Sequence, residues 1–139
     1  MEFGRHDTIR SPRALAWIKE QLPADVQEVG FGIVPGSKPD SVNGQYPRGI
    51  YVVRGDNVLM AQMQESSDLM MRWIGCNHPG SGLGKPFVNA IKKYADEKGL
   101  RFVAYNVTNQ KFWNGFTWLT RKNENEYEYQ APRKMRFVG

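Results

Sequence analysis

The sequence has one cysteine, Cys76, and two histidines, His6 and His78. A single cysteine cannot form an internal disulfide, and so few sulfur and imidazole groups disfavour a structural zinc site. The chain also has no run of about 18 apolar residues, the length that a membrane-spanning helix needs. Residues 1–13 lack the apolar centre of a secretory signal. We therefore expect a cytoplasmic protein without a metal site or a membrane anchor.

Positive charge is in excess but is not concentrated on one segment. The formal net charge of +5 favours anionic ligands or acidic partners. A nucleic-acid-binding surface normally requires Lys and Arg to cluster on one face or to alternate with stacking aromatics. Here the cations are dispersed except at Arg133, Lys134 and Arg136. We therefore do not expect nucleic acid to be the partner.

The size and composition of the chain predict one domain. Its 139 residues are 40% hydrophobic and 12% aromatic, which is enough to build one buried core. We predict that this domain covers residues 1–139, with flexible ends at 1–10 and 131–139.

The most informative stretch is a glycine-rich loop that leads directly into an amphipathic helix, within residues 76–99. Gly80, Gly82 and Gly84 permit backbone conformations in which several N–H groups turn toward one anion. Lys85 follows as a positive charge at the start of the helix, where the helix dipole also favours an anion. This pattern predicts a phosphate-binding loop; a tight strand-to-helix turn with no ligand is the alternative.

The helix after this loop has clear start and stop signals. Pro86 suits a first helical turn, because the N–H that it lacks would have no partner there. Gly99 is typical of the residue that ends a helix. One apolar stripe runs along the helix and predicts its buried side; it contains Phe87, Val88, Ile91, Tyr94 and Ala95.

The remaining elements follow from periodicity and turn residues. A helix is predicted to begin with Ser11 as its cap and to end before Pro23, and a short helix is predicted over 109–114. A long loop covers 35–48, and a hairpin turn covers 54–57. The predicted strands are 27–34, 49–53, 58–64, 69–75, 101–108, 117–121 and 126–130, with a further short edge strand at 2–5.

Two common phosphate-binding motifs do not fit the loop. A P-loop requires glycine five residues before its Gly-Lys pair and Ser or Thr after the pair, but Pro79 and Pro86 occupy these positions. A dinucleotide-binding fingerprint requires G-x-G-x-x-G near the start of a Rossmann unit, whereas this loop has G-x-G-x-G after a predicted antiparallel meander.

The loop and its surroundings resemble the GNAT acetyltransferase superfamily. In that family a Q/R-x-x-G-x-G/A loop before a helix binds the pyrophosphate of acetyl-coenzyme A, and Gly82-Leu83-Gly84 with Lys85 takes its place here. The helix end at residues 94–99 is similar, and Asn109, Phe112 and Gly115-Phe116 resemble later landmarks of the family. The similarity covers residues 49 to about 130 in order and spacing.

The resemblance implies a fold, a cosubstrate and a site. The fold would be α/β (α+β), with a mixed, mostly antiparallel sheet, a central parallel strand–loop–helix–strand crossover, and helices on both faces. The cosubstrate would be acetyl-CoA, and the acceptor would be a small-molecule or protein amine. The residues implied to bind acetyl-CoA are Ile74, Cys76, Gly80, Ser81, Gly82, Leu83, Gly84, Lys85, Asn109 and Phe112.

Three of these residues have structural interpretations as well. Cys76 is more typical of a small buried residue than of a nucleophile, because no histidine–acid pair supports it. Asn109 is equally suited to cap the short helix. Phe112 is as suited to the core as to the cosubstrate.

Other positions depart from the family pattern in ways that bear on catalysis. Pro79 stands where the loop should begin with arginine or glutamine, and Trp113 stands where the family has a tyrosine that protonates the departing thiolate. The predicted strand 69–75 carries no carboxylate to act as a base; Glu65 and Asp68 lie only in the turn before it. The sequence therefore identifies no catalytic residue.

Two hypotheses remain open at this point. The first is an N-acetyltransferase in which a primary amine attacks the thioester directly. The second is an inactive GNAT-fold protein with a binding or structural role, acting through the loop 35–48 or the basic tail. Small GNAT-like proteins with incomplete motifs occur in phages, and this short, divergent chain would suit such a source. A virion is then the alternative to a cytoplasmic location.

Overall fold

The computed structural model describes residues 3, 4 and 6–132. Residues 2 and 5 of the predicted edge strand and the basic tail at 133–139 lie outside this part, and Phe3 and Gly4 are not in a strand. The elements, in chain order, are α1 Pro12–Gln21, β1 Glu28–Ile33, β2 Arg48–Arg54, β3 Asn57–Glu65, β4 Asp68–Cys76, α2 Gly84–Lys98, β5 Arg101–Tyr105, α3 Gln110–Asn114, β6 Thr120–Asn123 and β7 Glu126–Gln130.

The strands form one seven-stranded sheet in the order β1-β2-β3-β4-β5-β7-β6. Only β4 and β5 are parallel; every other neighbouring pair is antiparallel. A parallel pair needs a crossover connection, and α2 provides it. The prediction of a mixed, mostly antiparallel α+β fold with one strand–loop–helix–strand crossover is confirmed.

The three helices lie on one face of the sheet, which we call the helix face. α1 packs against α2. The hydroxyl of Tyr129 donates to Asp96 of α2 at 2.6 Å, and Trp113 of α3 stacks on Tyr127 with ring centroids 6.2 Å apart. Tyr127 and Tyr129 are two residues apart on β7, so they point to the same side.

The prediction of helices on both faces is therefore wrong for the described residues. The strands themselves show the reason. Along β3 the side chains of Leu59, Ala61 and Met63 are buried, whereas the residues between them are exposed or half-buried. Such alternation supplies only one apolar face for helices to cover. The opposite side of the sheet, which carries Gln62 and Trp73, is called the open face below.

Most predicted element bounds agree with the structure within about two residues, and two strands do not. β5 ends at Tyr105 rather than at residue 108, because Asn106 has a φ of 60° and leaves the extended conformation. β6 begins at Thr120 rather than at 117, because the N–H of Leu119 closes a turn onto the carbonyl of Phe116.

The two long helices confirm most of their predicted signals. The apolar stripe of α2 is buried, and Gly99 ends the helix with a φ of 67°. The predicted cap of α1 is wrong in its detail. The hydroxyl of Ser11 accepts a hydrogen bond from the N–H of Thr8 at 2.9 Å rather than from an N–H of the helix. No helix among the described residues is long and apolar enough to cross a membrane.

A buried charge cluster joins the end of β3 to α2 and to the N-terminal segment. The Glu65 carboxylate accepts hydrogen bonds from the Tyr94 hydroxyl, from Lys98 Nζ and from the N–H of Ile9, the last at 3.0 Å. The side chains of Lys98 and Glu65 are only 18% and 7% exposed. Burial, with the nearby Glu65 charge, raises the pKa of Tyr94 far above its ordinary range, so the phenol stays protonated.

Candidate functional site

The sheet opens between β4 and β5. The two strands pair only where residues 68–71 of β4 lie beside residues 101–104 of β5. On its other side β4 stays paired with β3 as far as Cys76. Within this pairing Met71 is opposite Met63 and Trp73 is opposite Gln62, so Arg72 between them has no partner on β3. Arg72 is therefore a β-bulge, and a bulge bends its strand. β4 leaves β5 at this point and a gap opens between them.

The gap is a cleft of about 550 Å³ whose lining includes residues from both faces of the sheet. Its lining includes Ile74 and Cys76, which are opposite Ala61 and Leu59 and so lie on the helix face. It also includes Trp73 on the open face, where this side chain is 50% exposed. A ligand on one face can therefore meet a ligand that enters from the other.

Unpaired backbone groups of β4 face the gap. The N–H of Asn77 donates to the carbonyl of Val58 on β3. Because these groups alternate in direction along a strand, the N–H groups of Gly75 and Trp73 also point to β3. Those of Ile74 and Cys76 then point into the gap, where β5 is no longer paired. They can donate to an oxygen atom held there.

The glycine-rich loop closes the helix-face end of the cleft. Gly80 and Gly82 have φ values of 81° and 82°, a conformation that other residues rarely adopt. α2 begins at Gly84, and Leu83 before it provides no side-chain cap. The N–H groups of the first helical turn have no acceptor within the helix, so they are available to an anion.

Gly84 permits a close contact with α3. A Cβ atom placed on Gly84 would lie 3.2 Å from the tip of the Phe112 ring. The Phe112 ring in turn contacts Trp113 and Phe116 at centroid distances of 5.3 and 5.2 Å. The loop and α3 are therefore packed against each other, which fixes the width of the cleft at this end.

A contact that the sequence does not indicate holds the loop. Arg54, at the end of β2, donates through Nη2 to the carbonyl of Ser81 at 2.5 Å, and its Nη1 lies 3.9 Å from Asp25. The turn predicted over 54–57 is present, with Gly55 at a φ of 62°. Arg54 of this turn also binds the glycine-rich loop. No local sequence pattern indicates this contact, because Ser81 is 27 residues away.

The structure brings nine of the ten predicted acetyl-CoA-binding residues to the cleft. Leu83 does not line it; this side chain is 1% exposed and belongs to the core, because it packs beneath the start of α2. Asn109 lines the cleft and also caps α3, since its side-chain oxygen accepts from the N–H of Phe112 at 3.2 Å. The nine residues are Ile74, Cys76, Gly80, Ser81, Gly82, Gly84, Lys85, Asn109 and Phe112.

Cys76 and Ser81 meet where the loop leaves β4. Burial raises the pKa of the Cys76 thiol, and the nearby Ser81 hydroxyl offsets only part of that rise. A raised pKa makes the thiol a poor nucleophile at neutral pH. The Ser81 hydroxyl is buried, and the described residues offer it no polar partner besides this thiol.

The cleft has few groups suited to acid–base chemistry. Its charged lining residues among those described are Arg72 and Lys85, both cations. Trp113 reaches the lining but is 5% exposed and stacked on Tyr127. The phenol that lines the cleft belongs to Tyr105, which sequence analysis did not single out.

Glu65, the last residue of β3, and Asp68, the first residue of β4, do not line the cleft. Glu65 belongs to the buried cluster with Lys98, and Asp68 pairs with Arg101 at 3.0 Å. Each of these carboxylates therefore has a cationic partner. Both lie at the opposite end of β4 from Cys76, roughly 25 Å away at the usual rise per residue.

Comparison of the chain with protein-family models, with curated proteins and with solved structures finds no match.

Proposed function

We propose that the protein is an acetyl-CoA-dependent N-acetyltransferase that transfers the acetyl group directly to an amine. The observation that carries this proposal is the cleft between β4 and β5, which is lined from both faces of the sheet and ends at the glycine-rich loop. Such a cleft allows a thioester and an amine to approach each other from opposite faces, as direct transfer requires.

The loop end of the cleft suits the phosphates of coenzyme A. Backbone N–H groups of residues 82–85 and the positive end of α2 favour a pyrophosphate, whereas the N–H of Ser81 already donates to the carbonyl of His78 at 3.2 Å. Lys85 adds a positive charge, and Arg54 donates to the Ser81 carbonyl and so holds the loop. The walls toward the gap are less polar and include Met71, Ile74 and Ala104, which suits the arm that carries the thioester.

The backbone of β4 suits the acyl group. The N–H groups of Ile74 and Cys76 point into the gap, where either can donate to the thioester oxygen as negative charge develops on it. Attack by the amine nitrogen forms the C–N bond. Collapse of the tetrahedral intermediate breaks the C–S bond and releases the coenzyme A thiolate.

Two protons must be accounted for in this transfer. The amine must arrive neutral, because no described carboxylate lines the cleft to deprotonate an ammonium. The attacking nitrogen becomes positively charged in the tetrahedral intermediate and loses one proton as the amide forms, and the thiolate gains one. We assign the return of a proton to the thiolate to the Tyr105 phenol, since Trp113 is an indole and cannot act as an acid of useful strength.

The pH dependence of turnover tests this mechanism. We expect amine-dependent thiol release from acetyl-CoA to rise about tenfold per pH unit until the free amine is mostly deprotonated, because only the neutral amine reacts. Amines of lower pKa should reach the plateau at lower pH. A thiol-release assay over pH 6 to 9 with several amines measures this, and Tyr105→Phe should lower kcat roughly tenfold or more with little change in KM.

A binding role without turnover is the second candidate. It is favoured by the same lack of a carboxylate in the described lining and by the burial of Trp113. Acetyl-CoA binding without thiol release across an amine panel would support this candidate and contradict the enzyme. A rate that does not change with amine pKa would contradict direct attack by the neutral amine.

A further inference from the structure

The outer edge of β1 is open in the described part of the chain, where β1 pairs only with β2. The N–H of Val34 donates to Pro47, just past the end of β1. Because these groups alternate in direction, residues 28, 30 and 32 point to β2. The N–H and carbonyl groups of Val29, Phe31 and Ile33 then point outward without strand partners.

Residues 29–33 of this edge lack the usual protection against pairing. Natural edge strands carry lysine, proline or a bulge that prevents another strand from adding to them. The opposite edge of this sheet, β6, follows that rule with Arg121 and Lys122 on an exposed strand. β1 has neither a charge nor a proline between Val29 and Ile33, and its pairing with β2 is regular.

Apolar side chains accompany the unpaired backbone. Phe31 and Ile33 are 38% and 50% exposed, and they are two of the five large hydrophobic residues that are exposed in the described part of the chain. A groove of about 530 Å³ between α1 and β1 continues this surface. Apolar groups concentrated at one edge are typical of a binding surface.

The charges beside the groove indicate what it binds. Arg10 lies 4.6 Å from the centroid of the Phe31 ring, and Lys19 also lines the groove. The groove lining includes one acid, Glu28, whose carboxylate accepts from the Tyr51 hydroxyl at 3.1 Å and, by strand alternation, lies on the open face. Two copies of this edge would bring Arg10 and Lys19 against like charges, whereas an acidic strand would neutralise them.

We propose that the β1 edge is a docking site for an extended acidic segment of another protein, which adds to β1 as an antiparallel eighth strand. Its backbone pairs with Val29, Phe31 and Ile33, and alternate side chains enter the groove. Apolar side chains cover Phe31, and carboxylates meet Arg10 and Lys19. The site is separate from the cleft, so its test does not depend on acetyl-CoA.

A labelled synthetic peptide tests this site. The probe is acetyl-Glu-Thr-Val-Thr-Val-Thr-Glu-amide, whose valines and glutamates share one face of a strand. Fluorescence anisotropy of the full chain in low salt should show saturable binding, and hydrogen exchange should slow at the N–H groups of Val29, Phe31 and Ile33. The same peptide with lysine for glutamate should bind at least tenfold more weakly, and so should a probe methylated on its backbone nitrogens.

Two variants of exposed side chains complete the test. Lys19→Glu reverses one charge beside the groove, and Ile33→Lys places a charge on the edge; each should weaken the probe at least fivefold while circular dichroism stays unchanged. Absence of saturable binding at 1 mM peptide would overturn the proposal, as would equal affinity for the acidic and basic probes. Sedimentation that shows a dimer lost in Ile33→Lys would overturn it too, because the occupant would then be a second copy.

Discussion

Gly84→Glu should abolish acetyl-CoA binding. Gly84 is the first residue of α2, where unpaired N–H groups and the helix dipole favour an anion, and a carboxylate placed there would occupy and repel the pyrophosphate. The new side chain would also press on the Phe112 ring, since a Cβ atom would lie 3.2 Å from it. Isothermal titration should give micromolar affinity for the native protein and at least 100-fold weaker binding for the variant.

Two controls separate charge from bulk in this experiment. Gln64→Glu adds the same charge at an exposed position near the far end of β3, and it should bind acetyl-CoA as the native protein does. Gly84→Ala adds only the methyl group, so its affinity should lie between those of the native protein and Gly84→Glu. Retention of native affinity by Gly84→Glu would show that the loop does not hold the cosubstrate.

Lys98→Met should destabilise the fold by about 3 kcal/mol, because it leaves the buried Glu65 carboxylate without its cation. The Glu65 side chain is 7% exposed, so water can hydrate little of the carboxylate that has lost its ion pair. The lysine also donates to the carbonyl of Asp7 and so ties the N-terminal segment to α2. Urea unfolding followed by circular dichroism gives the change in the free energy of unfolding.

Two variants serve as controls for this prediction. Lys122→Met removes the lysine of a surface ion pair, and the double variant Glu65→Gln with Lys98→Met removes both charges of the buried pair. Lys122 pairs with Glu128 on the surface, where its side chain is 47% exposed, so its loss should cost under about 1 kcal/mol. The double variant should be more stable than Lys98→Met alone, because no buried carboxylate remains unpaired. If Lys98→Met costs no more than Lys122→Met, the buried cluster does not stabilise the fold as inferred.

The features that could be predicted from the sequence are those determined by a residue and its neighbours along the chain. Gly80 and Gly82 adopt positive φ, Pro86 lies in the first turn of α2, and Gly99 ends that helix. Each of these depends on the residue itself and its near neighbours. The loop-to-helix unit, and most of the residues around it that line the cleft, were therefore predictable.

What could not be predicted depends on contacts between distant segments. Arg54 reaches Ser81 across 27 residues, and the bulge at Arg72 is visible only in the register between β3 and β4. The end of β5 depends on the left-handed conformation of Asn106, which side-chain periodicity does not reveal. The placement of all three helices on one face likewise follows from how whole elements pack.

The alkylation rate of Cys76 tests most directly whether acetyl-CoA occupies the cleft. Cys76 is the single cysteine of the chain, so loss of thiol reports on one position. Burial raises the pKa of this thiol, and alkylation by iodoacetamide should therefore be slow at pH 7 and faster at pH 9. Saturating acetyl-CoA, which has no free thiol, should slow alkylation at pH 9 at least tenfold. An unchanged rate at saturating acetyl-CoA would contradict the proposed site.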